Sequence, residues 1–182
     1  FDLAKVRFEG SEEELSRTRI AQPVIFALSV AAMTAAEDVL PKPMAVAGHS
    51  LGEFAALWRA GAYSLEDGFR IIKARAAAMD SVEAAGAMYA VIGGETEEVI
   101  RACQEDEGFV EAVNFNLPNQ TVISGEEEAC ARVAAHFEQQ KKRVSRLKVS
   151  AAFHTAMMEP AAQALTEAIT EISFSPLDMD FY

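Results

Sequence analysis

Met44-Ala45-Val46-Ala47-Gly48-His49-Ser50-Leu51-Gly52-Glu53-Phe54 is the stretch on which the fold turns. Its first four residues read as a short buried strand that runs straight into Gly48-His49-Ser50-Leu51-Gly52, a match to G-x-S-x-G. Beyond it Phe54, Leu57 and Trp58 recur at helical spacing as far as Gly61. Strand, tight turn and helix form the setting that the motif needs. A strained turn, allowed because its flanks are small, lifts the Ser50 hydroxyl clear of the sheet at a helix N-terminus. The Leu51 amide then faces a developing oxyanion. The competing reading is a Gly-Ser-Gly turn packed between strand and helix with no chemistry. With both flanking elements in place, Ser50 is the candidate nucleophile.

Outward from the turn, two more helices are expected. Upstream, Gln22-Pro23 opens one whose apolar residues, from Val24 through Met33, leave no polar face, so it reads as buried. Downstream, Leu65 to Met79 repeats through Phe69, Ile72 and Ala76, an amphipathic helix. The middle of the chain changes rhythm. Strands are expected at Met88–Ile92, Phe109–Phe115, Gln120–Ser124 and Arg143–Val149, with helices at Glu95–Glu105 and Glu126–Gln140 and a turn at Asn116–Asn119. That order, βαββαβ, is ferredoxin-like. The fold class is therefore α/β, a parallel-sheet core in residues 1–85 and 150–182 carrying an inserted ferredoxin-like small subdomain in 86–149.

Composition bounds the function. The 182 residues are 51% hydrophobic and 24% charged, enough to bury a core. Lys and Arg total 16 against 28 Asp and Glu, a formal charge of −12, and such a surface repels phosphate backbones. No nucleic-acid partner is expected. The longest apolar stretch, Pro23 to Ala36, is shorter than the ~20 residues of a bilayer span, and it lies too far in for a signal peptide. A cytoplasmic protein without a membrane partner is expected, with a monomer as the default. Cys103 and Cys130 read as buried thiols of a reducing compartment. Three scattered histidines and two distant cysteines offer no metal-ligand spacing.

A serine nucleophile needs a base. His49 neighbours Ser50 in the turn and points elsewhere, and His136 lies beside Glu138 and Gln139 on a solvated helix. That leaves His154 in Ala151-Ala152-Phe153-His154, where the chain returns to the large subdomain, with a structural histidine as the competing reading. Arg75 is the strong base in Ala74-Arg75-Ala76-Ala77-Ala78-Met79. It either caps a surface or reaches into a pocket to grip a carboxylate, and periodicity alone favours the surface.

Together these residues resemble malonyl-CoA:acyl carrier protein transacylases and the related acyltransferase domains of polyketide synthases. The resemblance covers nearly the whole chain. It rests on Thr18-Arg19-Ile20-Ala21-Gln22-Pro23, Gly48-His49-Ser50-Leu51-Gly52-Glu53-Phe54, Arg75, Gly86-Ala87-Met88, Val113-Asn114-Phe115-Asn116 and Phe153-His154. The family's fold is a hydrolase-like α/β core with a ferredoxin-like insert. The resemblance implies that Ser50, with His154 as base, takes malonyl from malonyl-CoA. The acyl-serine then passes it to the phosphopantetheine thiol of acyl carrier protein, in fatty-acid synthesis and with no cofactor of the enzyme's own. It makes Leu51 an oxyanion donor and Arg75 the holder of the malonyl carboxylate, against the surface reading. Gln22, Asn114 and Asn116 become pocket or positioning candidates. Phe153 looks like the malonyl-type pattern, the methylmalonyl pattern having a small residue there.

The family also begins with a Phe-Pro-Gly-Gln-Gly-type strand and loop, and it continues into a portion whose carbonyl orients the histidine. Neither is found in these residues, so a fragment lacking both ends is expected. Lys141, Lys142, Arg143, Arg146 and Lys148 form either a docking patch for an acidic carrier protein or a strand edge guarded by lysines. A serine thioesterase or esterase shares the turn but has no evident use for Arg75, and a polyketide synthase acyltransferase domain remains the pathway alternative.

Overall fold

The computed structural model describes residues 2–82, 85–149 and 151–182, in two compact units, Phe1–Ser81 with Ala161–Tyr182, and Val82–Pro160. In the first unit short polar side chains start the helices. Asp2 accepts from the Lys5 amide at 3.0 Å and Ser11 from the Glu14 amide at 3.1 Å, capping α1 (Leu3–Glu9) and α2 (Glu12–Ser16). Helix α3 (Thr18–Glu37) follows. It begins four residues before the expected start, at Thr18, and so carries Pro23 in its second turn, where a proline has no amide to donate to the helical ladder. After Pro41 and Pro43 come β1 (Ala45–Val46), the Ser50 turn, α4 (Gly52–Arg59) and α5 (Leu65–Ser81), before which the Ser64 hydroxyl accepts from the Asp67 amide at 3.1 Å.

The second unit forms one antiparallel sheet with two helices on one face. Its elements are β2 (Ala87–Ile92), α6 (Thr96–Glu105), β3 (Val110–Leu117), β4 (Gln120–Gly125), α7 (Glu127–Gln139) and β5 (Arg143–Arg146). The strand order β3-β4-β2-β5 is the ferredoxin-like arrangement that the rhythm predicts. Pro118 and Asn119 make the hairpin turn between β3 and β4. Val91, Val99, Ile123, Val133 and Phe137 fill the space between sheet and helices. The other face gathers Met88, Ala90 and Val122 with Leu147, Val149 and Phe153. This unit runs wider than the expected 86–149, because Phe153 packs on that face and Ala85 bridges Ala151. The boundary expected at Ser150 lies outside the described residues.

A 3₁₀ turn (Ala156–Met158) leads into α8 (Glu159–Ala168), and the first unit closes with β6 (Asp180–Phe181). Strand β6 pairs parallel with β1, Ala45 opposite Asp180 and Val46 opposite Phe181, so the strand in front of Ser50 is held by residues from the far end of the chain. Two apolar clusters hold the unit. Phe26, Val30, Ala55 and Ile72 form one, with Phe26 and Phe69 edge to face at 5.1 Å. Ala62, Tyr63 and Ile71 form the other, covered by Leu165, Ile169 and Ile172.

Helix α3 departs from its expected burial. At 20 residues and a mean hydropathy of 1.5 it is long and apolar enough, by those measures alone, to cross a bilayer. Its Phe26 and Val30 sit in the core instead. Ile25 and Leu28 are exposed among the described residues, because α4 and α5 cover one side of the helix only.

Candidate active site

Ser50 sits between β1 and α4 with φ +53°, in the left-handed region that a residue with a Cβ enters at a cost of about 1–3 kcal/mol. The turn is tied down on its far side, where the Gly52 amide donates to the His49 carbonyl at 2.9 Å and the Glu53 amide to the Ser50 carbonyl at 3.2 Å. Gly48 explains why the strand can pass so close, since a Cβ there would lie 2.1 Å from the Glu53 nitrogen. Gly52 is different. A Cβ at that position meets nothing within 4 Å, so the second glycine is not demanded by contact among the described residues, contrary to the reading that both flanks must be small. Leu51 stands at the N-cap of α4, so its amide belongs to the positive end of that helix, where a developing anion is stabilised.

Arg75 does not face the solvent, which corrects the reading from periodicity alone. It projects from α5, half-buried, and Nη1 donates to Gln22 Oε1 at 2.7 Å while Nη2 reaches Ser50 Oγ at 3.4 Å. The guanidinium lies over the Phe54 ring, its carbon 5.4 Å from the centroid. Burial holds its pKa below the usual arginine value, partly offset by the negative charge of Glu53, yet it stays protonated at any physiological pH. Gln22 is 6% exposed and donates from Nε2 to the Met79 thioether Sδ at 3.3 Å. An arginine only donates, so the Gln22 oxygen must face Arg75. Outside this group, the exposed pair Arg19 Nε to Asp80 Oδ2 at 2.6 Å links α3 to α5. The structure therefore brings Gln22, Ser50, Leu51 and Arg75 together within the first unit.

Phe153, His154, Asn114 and Asn116 belong to the second unit. His154 is exposed in a turn with φ +65°. The turn is fixed on both sides. Ala152 is fully buried, and Thr155 donates its hydroxyl to the Ala152 carbonyl at 2.8 Å while accepting from the Met157 amide at 3.3 Å. Phe153 packs on the sheet face of Met88 and Val122. Asn114 and Asn116 lie on β3 next to its two register shifts, Asn114 opposite Val122 and half-buried, Asn116 exposed. His136 is exposed on α7 beside Gln140, as its neighbours predict. In the basic stretch, Arg146 is engaged with Glu127 at 2.7 Å, whereas Lys141 and Arg143 are exposed at the open edge of the sheet. Among the described residues, no three His, Cys, Asp or Glu side chains gather as a metal would require.

Sequence reasoning missed Phe54, Met79 and Tyr63. Phe54 was visible in the α4 apolar face and at the end of the motif that carries the resemblance, but neither gave it a role beside Arg75. Met79 is four residues from Arg75 and so on the same face of α5, a spacing that could have marked it.

The sequence profile of the acyl transferase domain family matches residues 1–182. The malonyl CoA-acyl carrier protein transacylase of Haemophilus influenzae is 40% identical over 182 residues, covering 96% of this chain and 58% of that protein. Among solved structures, the malonyl CoA-acyl carrier protein transacylase of Coxiella burnetii superposes with a TM-score of 0.94 at 33% identity, over 100% of this chain and 59% of that one. A malonyl-transacylase solved in complex with its type II PKS acyl-carrier protein gives a TM-score of 0.93 at 37% identity, over 100% of this chain and 60% of that one. The chain thus spans little more than half the length of these three proteins.

Proposed function

The chain belongs to the acyl transferase domain family, and from that membership we propose that its protein transfers malonyl from malonyl-CoA to the phosphopantetheine thiol of acyl carrier protein, for fatty-acid synthesis. One observation carries the reading, a half-buried guanidinium reaching the Ser50 hydroxyl at 3.4 Å. A cation beside the nucleophile suits an acyl group that ends in a carboxylate, and it would gain nothing from an uncharged one.

In the proposed first step His154 takes the Ser50 proton as Oγ bonds to the thioester carbon. The oxyanion forms near the Leu51 amide. Collapse breaks the carbon–sulfur bond, and coenzyme A leaves as a thiol with the proton from His154. In the second step the carrier's thiol gives its proton to His154 and attacks the acyl-serine, and Ser50 recovers the proton on leaving. Arg75 holds the free carboxylate throughout. Gln22 orients Arg75, Phe153 limits room beside the acyl group, and Asn114 and Asn116 are pocket candidates. The proposed reaction uses no resident cofactor or metal, in a cytoplasmic protein with no nucleic-acid or membrane partner, acting as a monomer. The related structure with a type II PKS carrier supports a carrier-protein acceptor and keeps polyketide supply as the second pathway.

Intact-protein mass spectrometry after mixing with malonyl-CoA tests the reading. A malonyl adduct on the wild type and none on Ser50→Ala supports it. Release of free malonate through an adduct that never accumulates, unaffected by added carrier protein, would favour a serine hydrolase.

A further inference from the structure

Arg75 is a cation whose hydrogen-bond and ring partners, among the described residues, are all uncharged, and on which Glu53 acts through space without an ion pair. Its hydrogen bonds go to the Gln22 amide oxygen and the Ser50 hydroxyl, and it makes no ion pair. Its guanidinium carbon lies over the Phe54 ring, 5.4 Å from the centroid. The distinction matters chemically. A carboxylate in the place of Phe54 would hold the guanidinium and neutralise it, leaving less attraction for an incoming anion. A ring face attracts the cation through its quadrupole yet brings no charge of its own to compete with a ligand. An aliphatic side chain would fill the volume without that attraction.

Phe54 is itself tightly placed. Its carbonyl accepts from the Tyr63 hydroxyl at 2.5 Å, and its side chain packs against the Phe26, Val30, Ala55 and Ile72 cluster. Tyr63 has room because α5 carries glycine at position 68, where a Cβ would lie 3.2 Å from the tyrosine ring and 2.7 Å from Phe26. The chain of placement runs from Tyr63 to Phe54 to Arg75.

We propose that Phe54 is the positioning residue that fixes the Arg75 guanidinium, and that it thereby sets a preference for carboxylated over uncharged acyl groups. This rests on the malonyl reading above. The test measures KM and kcat for malonyl-CoA and acetyl-CoA with the wild type, Phe54→Leu, Phe54→Tyr and Arg75→Ala. In Phe54→Leu the malonyl KM rises about 5-fold while its kcat and the acetyl parameters hold, and Phe54→Tyr restores the wild-type values. An equal change with both donors, or no restoration by tyrosine, overturns the proposal and leaves Phe54 as a packing residue. Arg75→Ala separates the two claims. If it leaves the malonyl-to-acetyl ratio unchanged, the malonyl reading falls and takes the proposal with it. If it collapses the ratio while Phe54→Leu does not, the Phe54 proposal alone falls. Should Phe54→Leu fail to fold, the Arg75 Hε proton resonance of the wild type decides. A ring-current displacement that persists in Phe54→Tyr supports the stacking, and its absence overturns it.

Discussion

The Arg75 guanidinium donates to the Gln22 amide oxygen at 2.7 Å across the packing of α5 on α3, and Gln22 is almost fully withdrawn from solvent. Gln22 therefore supports the cation without cancelling it. Gln22→Glu changes only that property, placing an anion within the same bond. The expected result is a malonyl KM raised about 10-fold with acetyl transfer unaffected, measured by steady-state kinetics on both donors. An unchanged malonyl KM would show that the charge on Arg75 is not what the substrate uses.

Ser50 holds a left-handed backbone at an energetic cost. Ser50→Gly removes that cost, while Ser50→Ala keeps it. Urea unfolding should find Ser50→Gly more stable than Ser50→Ala by about 1 kcal/mol, with neither variant able to take an acyl group. Equal stability of the two would mean that the turn is not strained.

The two glycines of the turn are unequal. Gly48→Ala drives a methyl group to 2.1 Å from a backbone nitrogen and should cost about 3 kcal/mol or more, whereas Gly52→Ala enters open space and should stay within about 0.5 kcal/mol of wild type. Thermal denaturation of the pair distinguishes these outcomes. Similar losses at both positions would contradict the geometry around Gly48.

Much of this was readable in the residues. The second unit announced itself because short strands alternate with amphipathic helices, stopped by Gly93-Gly94 in one case and by Pro118-Asn119 in another, and such turns are local chemistry. The Ser50 turn was legible for the same reason. The start of α3 was not, since Pro23 fits a helix opening as well as an early helical turn. Periodicity left Arg75 on the surface, and only the family resemblance put it in a pocket. Its partners Gln22 and Phe54 lie on other helices, and a side chain long enough to reach either water or a pocket is assigned by tertiary packing. The left-handed turn at His154 gave no warning either, because no glycine stands there and a histidine takes that backbone only occasionally.

Burial pushes the Cys103 thiol up to about 12 and that of Cys130 up to about 11, from an ordinary 9.0. Nearby carboxylates and, for Cys103, the neighbouring thiol add to the effect. The folded protein thus favours the protonated forms more than the unfolded chain does. Their contribution to stability is fully present below pH 9 and is lost as the pH rises through 11 and 12, by up to about 1.4 kcal/mol per pH unit for each thiol. Urea midpoints followed into the alkaline range should fall more steeply for the wild type than for Cys103→Ala. Parallel slopes would remove the thiols as the cause.

At the open edge of β5, Lys142 and Arg143 are not joined by Arg146, which Glu127 already occupies. If an acidic carrier protein docks there, the double variant Lys142→Glu, Arg143→Glu raises the carrier-protein KM about 10-fold at low salt and spares acyl transfer from coenzyme A. Equal loss in both half-reactions would end the docking idea.

The parallel pairing of Ala45 with Asp180 and Val46 with Phe181 has a consequence for how the molecule is made. During synthesis the ferredoxin-like unit, which is continuous in sequence, emerges whole and can fold while translation proceeds. The short strand ahead of Ser50 must wait for its partner until nearly all of these residues have left the ribosome, a closure of high entropic cost. Until Asp180 and Phe181 emerge, β1 has no partner strand, so the support beneath the Ser50 turn is completed only after the ferredoxin-like unit has left the ribosome.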